Sequence, residues 1–344
     1  MSLNAESSLP IQDTAPVRKH HLHQGPLLII KFIYDLFTHV TVRTPPPNPN
    51  KTIHLRLITI RPSHFCEKAR WALDLLDEDE DSPYWYTEDA HPPGLHTMET
   101  VTVTNDKGSS TPVVVMGEQV WMKSNAIVRE FCPNLYPTEE VKKMEDDMGN
   151  RLGATLRVFA YKYILQDEYW ESLKAAATAD TSKIETFLFE KMRHEVKKSM
   201  IKSMNINDST ADISKEAILK LFKEYSDILE HQEYLAGNEF TAADLTFAAL
   251  SSPFLRPPEL SEVSIPEELV PPPLRLFSEE LKATKAGQHV LKVYSKHRNR
   301  TPGKMKVALK TANRDRTPGV MWSGIVAGIA LMIGAGVSLV KRKP

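Results

Sequence analysis

"SSTPVVVMGEQVWMKSNAIVREF", residues 109–131, reads as a hairpin that feeds a helix. "TPVVV" is a run of β-branched residues with proline at its start, where a strand tolerates one. "MGE" makes a tight turn, and "QVWM" returns as the antiparallel partner. Ser124 then stands where a helix cap belongs, with Ala126, Ile127 and Phe131 on the helix that follows.

Towards the N-terminus, "IHLRLITI" (53–60) is rich in branched apolar residues and reads as a buried strand. "RPSHFCEKARWALDLL" (61–76) follows as a loop running into a helix. Phe65, Ala69, Ala72, Leu73 and Leu76 recur at helical spacing and form the packed face. Glu67, Lys68, Arg70 and Asp74 are expected on the other face. The acidic run "DEDEDS" ends the helix, "YWYTED" is a short strand, and "AHPPGLH" is a Pro-rich loop. The expected order is strand, helix, strand, loop, strand, strand, helix.

After Pro137 only helical periodicity remains, over 138–166, 182–204, 213–235 and 241–252. "EFTAADLTFAAL" carries a capping box, Thr241 with Asp244 three residues on, and Phe240 and Leu245 suit the accompanying staple. Residues 256–273 form a Pro-rich connection, and "ATKAGQHVLKVYSKHR" (283–298) is a last helix with a basic end.

The chain of 344 residues has room for two domains and extra segments. At 41% apolar and 25% charged it is a globular protein with a core. A formal net charge of −1 gives no basic field, so nucleic acid is not an expected partner. The two cysteines, Cys66 and Cys132, argue against a disulfide scaffold and fit a reducing compartment. His20, His21 and His23 sit in a polar N-terminal stretch with no Cys or carboxylate framing them. A disordered basic tail is expected there, and no metal site.

Two apolar stretches lie outside these elements. "PLLIIKFIYDLFTHV" (26–40) is interrupted by Lys31 and Asp35 and is too short to span a bilayer. It suits a helix lying on a membrane surface or packed on the protein. "GVMWSGIVAGIALMIGAGVSLV" (319–340) carries no charge. As a helix it reaches about 33 Å, enough to cross a hydrocarbon core of about 30 Å. Arg314 and Arg316 precede it, and Lys341, Arg342 and Lys343 follow. The expectation is a transmembrane tail anchor that leaves the bulk of the chain in the cytosol. The mitochondrial outer membrane is favoured, with the endoplasmic reticulum second. Gly324 and Gly328 form a GxxxG that allows two anchors to pack as a homodimer.

"SHFCEKARWALD", "STPVVV", "KSNAIVREF" and "FTAADLTFAAL", in that order, resemble the glutathione transferase superfamily over about residues 52–300. The resemblance implies an α+β thioredoxin-like domain over 51–135 followed by an all-α domain over 136–300. Residues 1–50 precede them, and a basic linker, 301–318, leads to the C-terminal transmembrane helix.

It also implies a chemistry. A thiol with a pKa of about 8.5 is only slightly ionised at neutral pH, and the thiolate is the nucleophile. A hydroxyl at a helix start stabilises that anion by hydrogen bonding, and the helix dipole adds to it. In the resembling family Ser63 matches this catalytic position, although it also suits a plain cap. Cys66, with a serine three residues before it, lacks the partner for a dithiol cycle. Packing is its expected role, with redox chemistry as the alternative. His64 is expected to be exposed on the loop.

Pro112 resembles the family's cis-proline, with Thr111 pairing through its backbone with the cysteinyl part of glutathione. Ser124 and Asn125 open a helix whose start suits the γ-glutamyl carboxylate. Lys123 departs from the pattern, because the family usually has an acid there to attract the ligand's amino group. Weak glutathione binding is therefore expected. The leading expectation is a membrane-anchored glutathione transferase that conjugates glutathione, its co-substrate, to lipophilic electrophiles. A non-enzymatic relative acting in organelle membrane dynamics or as a scaffold is the alternative. A thiol-transfer or peroxide-reducing enzyme using Cys66 is the third.

Overall fold

The structure, a computed structural model, describes residues 49–298. The surface helix expected over 26–40, the linker over 301–318 and the anchor over 319–340 lie outside the described residues. Within them, no helix is long and apolar enough to cross a membrane.

A mixed four-stranded sheet comes first, in the order β2-β1-β3-β4. β1 (Ile53–Thr59) pairs in parallel with β2 (Tyr84–Ala90). The crossover is α1 (His64–Glu78), as a parallel pair requires. β3 (Val113–Met116) runs antiparallel to β1, with Leu57 opposite Val114, and makes a hairpin with β4 (Gln119–Met122). Gly117 supplies the left-handed turn residue, at φ 57°. α3 (Ser124–Phe131) completes the domain.

Between β2 and β3, where a loop was expected, the chain forms α2 (His96–Val103). Its sequence HTMETVTV offers no apolar stripe, and five of its eight residues are β-branched. Thr100 and Thr102 satisfy their hydroxyls by donating back to His96 O at 3.1 Å and Met98 O at 2.7 Å. Tertiary packing overrides weak local propensity here.

An all-helical domain follows. Its elements are α4 (Glu139–Arg151), α5 (Gly153–Ile164), α6 (Trp170–Ala177), α7 (Lys183–Lys191), α8 (Arg193–Met204), α9 (Asp208–Leu229), α10 (Ala242–Leu255), α11 (Pro272–Lys282) and α12 (Lys285–His297). The long stretch expected over 138–166 is broken at Leu152, and the one over 182–204 at Met192. α6 and α11 were not legible in the apolar spacing, and α11 begins on prolines that its first turn tolerates.

α10 is buried on every side apart from Pro253, which marks it as a central helix. Its capping box is formed: the Asp244 carboxylate accepts from Thr241 N–H and Oγ1, both at 3.0 Å. The second carboxylate oxygen accepts from Leu235 N–H at 2.8 Å and faces His289 Nε2 on α12 at 2.9 Å. One apolar cluster joins Trp71 and Ala72 of α1 to Phe247, Leu250 and Tyr294, so the two domains share a core.

Candidate active site

β1 ends at Thr59, and the chain turns so that Ser63 N–H donates to Ile60 O at 3.0 Å. Ser63 is extended, at φ −78°, and its hydroxyl accepts from Cys66 N–H at 3.4 Å, capping α1. The Cys66 thiol is fully buried beneath this turn. It accepts from Ile60 N–H at 3.5 Å and touches the Ser63 and Thr111 hydroxyls. Burial pushes the thiol up, so it stays protonated and packs as a small apolar group. Thr111 thus brings the β3 edge against the first turn of α1, and the Thr111–Pro112 bond is cis.

His64 corrects an expectation, since it is buried rather than exposed on a loop. Its Nε2 lies 3.1 Å from Gly153 O. A carbonyl only accepts, so Nε2 carries the hydrogen and Nδ1 is the unprotonated nitrogen. Burial, followed by the charge of Arg157, pushes this imidazole down to about 3, so it is neutral. Gly153 permits the approach: a Cβ there would run into the Phe65 ring.

Glu67, Lys68 and Arg70 correct a second expectation. They are not on a solvated face; the helical domain and β2 cover them, and each is buried. Arg70 holds Glu67 and Glu88 at 2.6 Å each. Arg61 joins Glu88 at 3.1 Å, and Arg298, the last described residue, joins Glu67 at 3.0 Å and Asp74 at 2.6 Å. Burial alone would raise the Glu88 carboxyl, but Arg70, Arg61 and the Thr59 hydroxyl hold it down to about 2. Ionised groups survive this deep because each of these three carboxylates, Glu67, Glu88 and Asp74, is matched by a guanidinium.

Lys68 faces the other way, to Glu145 Oε1 at 2.5 Å and Asn125 Oδ1 at 3.1 Å. At the start of α3 the cap is Lys123 and not Ser124. Lys123 has φ 72° and makes no side-chain cap bond, whereas Ser124 is the first helical residue and is buried. The Lys123 side chain is exposed. The Asn125 amide is engaged on both ends, since its Nδ2 also donates to Asp146 Oδ1 at 2.7 Å.

A cavity of about 130 Å³ lies between the start of α1 and the helices α5, α6, α10 and α11. Ser63, His64, Arg157 and Tyr161 are among its polar lining residues, and Leu156, Ile164, Leu173, Phe254 and Leu274 among its apolar ones. Of the residues expected from the sequence to form the catalytic, redox or glutathione site, Ser63 lines it; Cys66, Thr111, Pro112, Lys123, Ser124 and Asn125 do not. Arg157 and Tyr161 escaped the sequence reading because nothing separates them from ordinary polar positions of an amphipathic helix. Burial pushes the Tyr161 phenol up, so it remains a donor.

Residues 189–267 match the family model of the glutathione S-transferase C-terminal domain. That segment runs from the end of α7 through α10 into the Pro-rich connection. No curated protein matches the sequence. Among solved structures, the chain is similar to the β-etherase LigF from Sphingobium sp. strain SYK-6, with 14% identity, 69% of this chain and 98% of that chain covered, and a TM-score of 0.43. Gtt2 from Saccharomyces cerevisiae gives 14%, 69%, 100% and 0.40. The theta class glutathione S-transferase from the citrus canker pathogen Xanthomonas axonopodis pv. citri, with glutathione bound, gives 19%, 70%, 97% and 0.38.

Proposed function

We propose that this chain is a glutathione transferase whose thiolate forms at the start of α1. One observation carries the reading: Ser63 caps that helix and also lines the cavity between the two domains. Its oxygen accepts from Cys66 N–H, and its hydroxyl proton can turn from the Cys66 thiol to a sulfur in the cavity. The N-terminus of α1 adds a partial positive charge at the same point. The family match over residues 189–267 supports the same reading from the helical side.

In this reading the cysteinyl part of glutathione pairs with the backbone of Thr111, beside Pro112. The γ-glutamyl carboxylate takes the N–H groups of Ser124 and Asn125 at the start of α3. Lys123 stands close by and repels the ligand's amino group, so binding is weak. The apolar wall takes a lipophilic electrophile. The tail anchor over 319–340 would hold the enzyme where such molecules partition, at the mitochondrial outer membrane.

A calorimetric titration of the full chain with glutathione tests the binding, and conjugation of an aryl halide tests the chemistry. Ser63→Ala should lower turnover about 100-fold, as loss of an oxyanion donor does. A folded Ser63→Ala protein with unchanged turnover would leave Ser63 as a cap alone. The scaffold reading draws on Lys123, whose exposed side chain stands where an acid would attract the ligand's amino group. A full chain that takes up no glutathione would favour it.

A further inference from the structure

Four arginines and one carboxylate line the cavity: Arg61, Arg70, Arg157, Arg256 and Glu67. Three of the arginines are neutralised locally. Arg61 meets Glu88 at 3.1 Å and Asp180 at 2.8 Å. Arg70 meets Glu67 and Glu88, and Arg256 meets Glu267 at 2.8 Å. Arg157 differs. Among the described residues it has no carboxylate partner, and its buried Nε has no hydrogen-bond acceptor. Its guanidinium lies 5.4 Å from the centroid of the Phe65 ring, which supplies a quadrupole but no charge.

The groups beside it supply no anion either. His64 is a neutral imidazole whose hydrogen is committed to Gly153 O. Tyr161 is a protonated phenol. A half-buried cation is therefore held in a cavity that Leu156, Ile164, Leu173 and Leu274 also line, and in which the other charged groups are already paired with one another or with neighbours. A guanidinium with free N–H groups pairs best with a planar, two-oxygen anion. The apolar walls would strip water from a small hydrophilic anion without replacing it, whereas an alkyl chain gains by burial there.

We propose that this cavity binds an apolar carboxylate, its anion on Arg157 and its hydrocarbon chain along Leu156, Ile164, Leu173 and Leu274. Arg157 is then a specificity residue. The inference deepens the transferase reading by naming the class of the second substrate, and it rests on that reading only for the chemistry that follows binding.

The test compares octanoate with octanol on the full chain by calorimetry. A charge-assisted pair should make octanoate the tighter ligand by about tenfold or more. Arg157→Gln should erase that preference while leaving octanol affinity as it was. Leu274→Trp, which fills the apolar end, should weaken both ligands alike. Equal binding of octanoate and octanol by the parent protein overturns the proposal, as does a preference that survives in a folded Arg157→Gln protein. Binding indifferent to Leu274→Trp overturns the location.

Glutathione, titrated in parallel, separates this inference from the reading beneath it. If Arg157→Gln loses glutathione but keeps octanoate, Arg157 holds a peptide carboxylate and the proposal is wrong. If the parent takes octanoate over octanol yet takes no glutathione, the transferase reading falls and the cavity assignment stands.

Discussion

Glu145 has no exposed surface and Lys68 has 1%, so their pairing is among the most deeply buried in the protein. Glu145 Oε1 takes the Lys68 ammonium at 2.5 Å and the Tyr136 hydroxyl at 2.8 Å, and Oε2 takes Arg129 Nε at 2.8 Å. Glu145→Gln keeps the shape and removes the charge. Arg129 retains Asp146 at 2.9 Å, near solvent, but Lys68 is left as a buried cation with only the Asn125 carbonyl. Breaking a buried pair on one side costs about 3–5 kcal/mol. Lys68→Met removes the other side and leaves Glu145 matched by Arg129 and Tyr136, so it should cost about 1–3 kcal/mol, the worth of one charged hydrogen bond. Lys68→Met with Glu145→Gln should cost less than the sum of the two, because no buried charge is left over. Urea unfolding of all four proteins measures this as a shift of midpoint at constant slope. A Glu145→Gln protein within about 1 kcal/mol of the parent, or strict additivity in the cycle, refutes the reasoning. A pH signature accompanies it. Burial, against the pull of Glu145, lowers the Lys68 ammonium from 10.5 to about 8. Between those values the unfolded chain holds more protons, so this group's contribution to stability should rise with pH across the window. In Lys68→Met that contribution should be gone.

Two further changes probe the start of α1. Gly153→Ala should destabilise by about 1–3 kcal/mol through overpacking against Phe65, partly offset by the roughly 0.5–1 kcal/mol that alanine gains over glycine in a helix; thermal melting checks it, and a stabilised variant would mean that the ring moves aside freely. His64 is held neutral down to about 3, so the unfolded chain binds a proton that the folded one refuses once the pH drops below about 6.5. Stability should fall with acidity in that window by up to about 1.4 kcal/mol per pH unit. His64→Gln should flatten the slope without abolishing it, because His96, pushed down to about 4 by burial and His91, acts in the same direction. Denaturation midpoints between about pH 6 and about pH 4 test it, and an unchanged slope would show that His64 takes up its proton in the folded state.

The alternation of strand and helix in the first domain was legible because its signals are local. β-branched runs sit between turn residues, and Thr241 with Asp244 announces α10 at a fixed three-residue spacing. α2 was missed because its β-branched residues speak against a helix and its reason to form is tertiary. Lys123 was read only for its charge, and Ser124 was named as the cap on residue preference. The chain leaving β4 must reverse direction, and it does so by placing Lys123 at φ 72°. A side-chain preference carries no information about that geometry.

The polar half of α1 is the more instructive failure. Periodicity separates apolar from polar positions but does not say whether a polar face meets water or other charges. The partners that decide the matter are far away in the sequence. Glu88 lies 18 residues from Arg70, Glu145 lies 77 from Lys68, and Arg298 lies 231 from Glu67. Each of those residues looks like ordinary surface charge in its own segment. Brought together, they convert the outer face of an amphipathic helix into the seam between two domains. The same seam carries the candidate site, for Ser63, Glu67 and Arg70 line one cavity. Arg157 enters that cavity from α5 as the arginine whose counter-ion no described residue supplies. A charge left over where every other is matched points to chemistry that the fold alone does not require.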